Sequence, residues 1–303
     1  MPPSASPGGE GRSALLAGLA CYGIWGFLPL YFHLLAGLGV RPAEMIAHRT
    51  LWSVFWALGL VWLSRQVPDV RRVLTEPRTM GVLALSTLAI FINWSIYVWA
   101  VDDHRVIEAS LGYYINPLLN MAVGALLFRD RVGLAGKIAI GLAVIGVAVQ
   151  ALALGHPPWV SLGLGISFCA YGVLRKQVKA EAQTGLFIEC LYLAVPGLLY
   201  VLLLQQRDEG HFLHGAGVSW LLLAAGPATV APLALFAWAA RRLSLTALGF
   251  LQFAAPTLQF FVGLSLGETF TPMRALSFAF IWAGVAVFAW GAWRAARRVP
   301  RAA

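Results

Sequence analysis

Long apolar runs separated by short polar links make up almost the whole chain. Ten runs are long enough to cross ~30 Å of hydrocarbon as helices: residues 14–36, 43–64, 79–101, 106–128, 134–154, 158–175, 184–204, 218–240, 244–266 and 273–293. None shows the period-two alternation over about ten residues that a membrane barrel strand requires. Each is therefore predicted as an α-helix, whose backbone groups satisfy one another without water. The links hold most of the Arg and Asp. Residues 1–13, rich in Pro, Gly and Ser, are expected to be disordered. No short cleavable apolar stretch precedes the first run, which is expected to remain as an anchor.

Composition narrows the class. Of 303 residues, 59% are hydrophobic and 12% charged, with a mean hydropathy of +0.75; soluble domains carry about 25% charged residues. That excludes a cytosolic enzyme, a disordered chain and a disulfide scaffold, and leaves an all-α integral membrane protein. Cys21, Cys169 and Cys190 all fall in apolar runs, the usual place for packing thiols. The net charge of +9 is distributed unevenly. Seventeen Lys and Arg lie on the side of the N-terminus, at Arg12 and in the links 65–78, 129–137, 175–179, 241–242 and 294–301. Four (Arg41, Arg105, Arg207 and Arg274) lie on the other side, and Arg49 lies within a span. The positive-inside rule then puts both termini in the cytoplasm, of a multi-pass protein in the cell inner (plasma) membrane. The basic balance is a topology signature, and no nucleic acid partner is expected.

The chain also repeats itself. Gly146-Val147-Ala148-Val149 is echoed by Gly284-Val285-Ala286-Val287, Tyr22-Gly23 by Tyr171-Gly172, and Trp99-Ala100 by Trp238-Ala239. Leu111-Gly112 with Pro117 returns as Leu248-Gly249 with Pro256, and all offsets fall between 137 and 149 residues. The expected organisation is one five-helix repeat over 14–154, a second over 158–293, and a basic cytoplasmic tail over 294–303. Five is odd, so the second copy enters the membrane from the opposite face. Inverted repeats of this kind mark secondary transporters, which alternate access around a midplane site.

Four stretches carry a family likeness: Ala47-His48-Arg49-Thr50-Leu51-Trp52-Ser53, the run from Glu108 to Pro117, Tyr171-Gly172-Val173-Leu174-Arg175-Lys176, and Glu181-Ala182-Gln183-Thr184-Gly185. With the five-plus-five arrangement, they resemble the EamA family of the drug/metabolite transporter superfamily, RarD subgroup, over about residues 13–294. The resemblance implies inner-membrane transport of a small molecule, with an association to chloramphenicol, and supplies no catalytic residue, cofactor or ligand set.

Candidate site residues follow from what is costly to bury. Pro117 and Pro256, at matching places, would interrupt their helices and free the carbonyls of Tyr113 and Gln252. In the fourth run Glu108, Gly112, Asn116, Asn120 and Gly124 recur every four residues, which lets Glu108, Asn116 and Asn120 share one broad face. Asn116 and Asn120 are candidates for substrate contact, and equally for interhelical hydrogen bonds. Gln252 and Gln259 are the weaker counterparts in the ninth run. Arg49 is open to pairing with Glu108, clamping a substrate carboxylate or phosphate, or reaching the outer headgroups. His48, Glu108 and Glu189 are candidate proton or gate residues. Tyr22, Trp25, Trp94, Tyr113, Tyr114 and Tyr171 lie deep enough to line a cavity, or simply to fill space between helices. Trp62, Trp159, Trp220 and Trp293 sit at span ends, where amphipathic rings belong.

No phosphate-binding loop, mid-span Lys or supported His pair occurs, so neither a metal nor a cofactor is expected. The expected partners are a small-molecule substrate and membrane lipid; the two GVAV stretches suit close helix packing, either within the chain or at a face shared with a second copy. The rival classes are a membrane-embedded enzyme acting on a lipid-like substrate, using Asp102, Asp103, His104 and Glu108, and a channel.

Overall fold

A computed structural model of the chain describes residues 10–127, 133–240, 242–243 and 251–298. Every regular element among the described residues is a helix: α1 (Glu10–Gly37), α2 (Pro42–Leu63), α3 (Val67–Leu74), α4 (Pro77–Asp102), α5 (Val106–Leu127), α6 (Leu134–Leu154), α7 (Trp159–Gln177), α8 (Ala182–Gln206), α9 (Ala216–Ala240), α10 (Ala254–Ser265) and α11 (Pro272–Arg298). Seven of these are long and apolar enough to cross a membrane. Large apolar side chains such as Phe27, Phe55, Leu88, Val144 and Leu199 cover their outer surface. A soluble monomer would not tolerate so continuous an apolar exterior, whereas lipid does.

Local chemistry sets the helix ends. Pro at the first helical position opens α2, α4 and α11, where its missing N–H costs nothing. His104 closes α4 in the left-handed region at φ 53°, and the next N–H, of Arg105, returns to the Ala100 carbonyl at 2.7 Å. α1 starts at Glu10, so residues 10–13, expected to be disordered, are helical; α11 runs on to Arg298, past the end assigned to the tenth run. The short amphipathic α3 was not foreseen. It buries Val70 and Val73, the latter against Leu83 and Ile188, and leaves Arg71 and Arg72 exposed.

The main helix pairs are α2 with α8 and α9, α4 with α7 and α8, α5 with α7 and α10, α1 with α9 and α10, and α6 with α11. Exchange α1 with α7, α2 with α8, α4 with α9, α5 with α10 and α6 with α11, and this set maps onto itself. The three pairs that map to themselves are all antiparallel. In α2 and α8, Glu44 meets His211 at one end while Gln66 meets Gln183 at the other. In α5 and α10, Ile107 lies by Gly263 and Tyr114 bonds Thr257. In α6 and α11, a methyl on Gly146 would lie 3.0 Å from the Ser277 carbonyl, and one on Gly284 3.0 Å from that of Ala139. Gly146 and Gly284 of the two GVAV stretches therefore pack α6 against α11. Lacking Cβ atoms, they let the backbones approach closely enough for Ser277 to donate to the Gly146 carbonyl at 2.7 Å.

The links gather at two ends. At one, Arg41 pairs with Glu209, and Glu268 accepts the first N–H groups of α5, from Val106 at 2.5 Å and Ile107 at 2.9 Å. Burial pushes the Glu268 carboxyl above the ordinary range, although both donors favour its anion. At the other end, Asp69 of α3 accepts from the Glu181 backbone and Arg72, and Arg72 donates to the Lys179 carbonyl. Burial raises the Asp69 pKa, but the Glu181 N–H and then Arg72 outweigh it and hold the carboxyl below the usual value.

Candidate functional site

Two ionisable side chains are buried deep in the bundle at equivalent places. Arg49 is the eighth residue of α2 and Glu189 the eighth of α8. At 1.5 Å per residue each lies ~10 Å from its helix start. Because these helices are antiparallel, the two groups sit toward opposite ends.

Arg49 has no carboxylate partner among the described residues. Its Nε donates to the Thr229 hydroxyl at 2.9 Å, its guanidinium carbon lies 4.1 Å from the Trp94 ring centroid and 5.7 Å from that of Phe32, and Nη1 has no hydrogen-bond partner. The Ser53 hydroxyl donates to its backbone carbonyl at 2.6 Å. An uncompensated buried charge costs several kcal/mol. The stacked ring and single hydrogen bond return only part of that.

Glu189 is fully engaged. Ser86 donates to Oε1 at 2.6 Å, Tyr171 to Oε2 at 3.2 Å, and Arg175 Nη1 lies 3.7 Å from Oε1. Two of the family-like stretches meet here. The Arg175 guanidinium occupies the space where a side chain on Gly185 would begin, and Arg175 also donates to the Ala182 carbonyl.

A ladder of rings connects the two groups. From Phe32, beside Arg49, it passes to Tyr97 at 6.2 Å, Tyr113 at 5.6 Å, Phe168 at 6.3 Å and Tyr171 at 6.0 Å between centroids. Tyr171 holds Glu189. Midway, Tyr113 donates to Asn93, whose amide donates to the Leu164 carbonyl at 3.0 Å and the Ser167 hydroxyl at 3.1 Å. The Tyr97 hydroxyl, buried, has no partner. The ladder draws on α1, α4, α5 and α7, and its two ends rest on α2 and α8.

Comparison with known proteins decides the family. The model of the EamA-like transporter family matches residues 12–152. RarD of Streptomyces exfoliatus is 40% identical over 292 residues, covering 95% of this chain and 92% of its own. The chain belongs to the EamA-like transporter family. RarD of Escherichia coli (strain K12) is 37% identical, covering 96% and 98%. The chloramphenicol-sensitive protein RarD of Pseudomonas aeruginosa is 30% identical, covering 96% and 98%. One solved crystal structure shares the fold at a TM-score of 0.59 with 22% identity, over 93% of this chain and 98% of that one.

In this RarD-like chain the predicted residues divide into groups. Arg49, Trp94, Tyr113, Tyr171 and Glu189 fall along the ladder. Glu108 does not reach Arg49; Arg105, three residues before it, donates to Glu108 Oε2 at 3.0 and 2.7 Å. The shared face expected for α5 divides, because Glu108 and Asn116 are buried while Asn120 is exposed, beside Gly172. The Asn116 carbonyl oxygen has no partner. Tyr22 packs with Trp25, Phe236 and Leu251 in a separate cluster, away from its counterpart Tyr171. His48 accepts the Trp52 indole N–H at Nδ1 and lies against Phe212, leaving Nε2 unpartnered. Gln259 donates to the Trp25 carbonyl, and Gln252 is half-buried.

The prolines behave differently from each other. α5 continues through residue 117 as one helix. Before α10 the interruption is at Phe253, its N-cap, which puts Pro256 in the first turn, where its absent N–H removes no intrahelical bond.

Sequence reasoning passed over Asn93, Ser86, Thr229 and the Glu44–His211 pair, in which Glu44 accepts the His211 backbone N–H at 2.7 Å and its ring Nδ1 at 2.9 Å. Asn93 had a signal, a lone amide in mid-run. Ser86 and Thr229 had none, because their partners lie 103 and 180 residues away.

Proposed function

We propose that this chain is a secondary transporter that exports a small organic molecule across the inner membrane by rocking two inverted five-helix halves, 14–154 and 158–293. The observation that carries this reading is the unneutralised Arg49 at the head of a ring ladder between the halves. A stable scaffold has no use for such a charge, whereas a binding site does. The self-mapping helix pairs and antiparallel α2–α8, α5–α10 and α6–α11 contacts support inversion. The family match over residues 12–152 supports a boundary near the end of α6.

The ten-span topology with both termini in the cytoplasm is supported by the way the links with few Lys or Arg (around 41, 105 and 209) and the basic links (around 72 and 179) gather at opposite ends. A C-terminal tag reached only from the cytoplasmic side is the expected outcome; a tag reached from the periplasm removes this topology. Glu189, caged by Ser86, Tyr171 and Arg175, serves as the gate at the inner end.

The decisive experiment is counterflow in proteoliposomes with the purified chain and a panel of metabolites and antibiotics. Chloramphenicol belongs in the panel because one relative is named for sensitivity to it. Saturable exchange that vanishes in Arg49→Gln is expected. Flux without saturation makes the chain a channel, and no flux of any compound removes the transporter reading.

A further inference from the structure

We infer that the cargo is a monocarboxylate with a planar aromatic body, its carboxylate on Arg49 and its ring between Trp94, Phe32 and the tyrosines of the ladder. This rests on the transporter reading above and adds the substrate class. The charge argument comes first. Arg49 is 5% exposed, uses Nε on Thr229 and leaves Nη1 without a partner. Among the described residues the carboxylates buried in the helices have partners of their own: Glu44 hydrogen-bonds His211, Glu108 pairs with Arg105 through Oε2 while its Oε1 has no partner, and Glu189 is held by Ser86, Tyr171 and Arg175.

Arg49 therefore presents one positive charge with no carboxylate paired to it among the described residues. A cargo with a single negative charge neutralises it. A phosphate monoester, at about −1.5 to −2, leaves buried excess charge. The ammonium of a zwitterion finds no carboxylate. A guanidinium is also a planar fork that matches a carboxylate's two oxygens. The buried Tyr97 hydroxyl, likewise without a partner, supplies a further donor.

The lining sets the body. The Trp94 ring stacks on the guanidinium at 4.1 Å, and Phe32, Tyr97 and Tyr113 follow within 6.2 Å of one another along the ladder. A flat ring entering this stack makes the offset and edge contacts that aromatic pairs favour. It can also pass from ring to ring toward Tyr171 as the halves rock.

The test is thermal unfolding of the purified full chain with benzoate, phenylacetate and indole-3-acetate, each beside its uncharged amide, and with phenyl phosphate, phenylalanine and acetate. Saturable stabilisation by the aromatic acids is expected, at least tenfold weaker for the amides, the phosphate ester, the zwitterion and acetate. In Arg49→Gln the acids should fall to the level of their amides, with Arg49→Lys between. The acid–amide contrast in the unaltered chain stands whether or not the variants fold. Amides or phenylalanine binding as tightly as the acids, an acid preference that survives Arg49→Gln, or no acid binding at millimolar concentration overturns the inference. Counterflow of another chemical class alongside such a result leaves the transporter reading intact; no counterflow of any class removes both.

Discussion

Burying a guanidinium beside Trp94 and Phe32 with no carboxylate to neutralise it works against stability. Replacing even a buried ion pair by well-packed apolar residues is often neutral, or stabilising by about 1–4 kcal/mol, and a charge without a carboxylate partner has less attraction to lose. Arg49→Met is therefore expected to leave the unfolding temperature unchanged or raised while abolishing counterflow. A loss of more than about 1 kcal/mol would make Arg49 structural instead. Gly185 is the complementary case. Its missing side chain leaves room for the Arg175 guanidinium. Gly185→Ala should displace that flexible side chain at a cost below roughly 1 kcal/mol, since the clash is with its mobile end. It should nonetheless impair counterflow, and Glu189→Gln is expected to do the same. Normal exchange in Gly185→Ala would separate Arg175 from the gate.

At the level of elements, close backbone approach holds the bundle together. α2 is clasped by two glycines: a methyl on Gly197 would meet the Thr50 hydroxyl at 2.7 Å, and one on Gly226 the Trp52 backbone at 2.8 Å. Gly226→Ala is expected to cost about 1–3 kcal/mol, the usual range for overpacking. Gly59→Ala, with nothing within 4 Å, should leave the unfolding temperature near that of the unaltered chain. Thermal unfolding in detergent compares the two. The α3 latch responds to pH. Asp69 has a depressed pKa in the fold, so its contribution is complete above the unfolded value of about 3.9 and is lost as pH falls through the folded one. Acidification below roughly pH 4 should lower the unfolding temperature more in the unaltered chain than in Asp69→Asn; parallel profiles would remove the latch.

For the whole molecule, rocking of rigid halves requires contacts at the two ends to open in turn. Glu44 with His211 closes one end, and Gln66 with Gln183 and Thr184 closes the other. Cysteine pairs at 44 and 211, or at 66 and 183, bridged by a short bifunctional thiol reagent, are each expected to stop counterflow, and cleavage of the bridge to restore it. The native Cys21, Cys169 and Cys190 are buried and should not compete. Exchange that continues across a verified bridge would exclude rocking at that end.

Hydrophobic runs alone determined the all-helical class, most helix limits and the membrane environment, because 20 apolar residues in lipid have almost no alternative to a helix. Charges and rings within those runs marked Arg49, Trp94, Tyr113, Tyr171 and Glu189, since such groups are expensive in lipid and need a reason to be there. Partners were another matter. That Arg105 rather than Arg49 takes Glu108, that Arg175 rests over Gly185, and that Asn93 centres the ladder all depend on which helix faces touch. Asn120 and Asn116 share a four-residue spacing, yet one is exposed and the other buried, because α5 drifts about 40° at each step and its neighbours cover only part of its circumference. The amphipathic α3 was too short to show as a run, and the interruption at Phe253 rather than Pro256 reflects where α10 begins. Periodicity reports how one helix divides into faces; only tertiary packing assigns each face its neighbour, and the candidate site consists of those assignments.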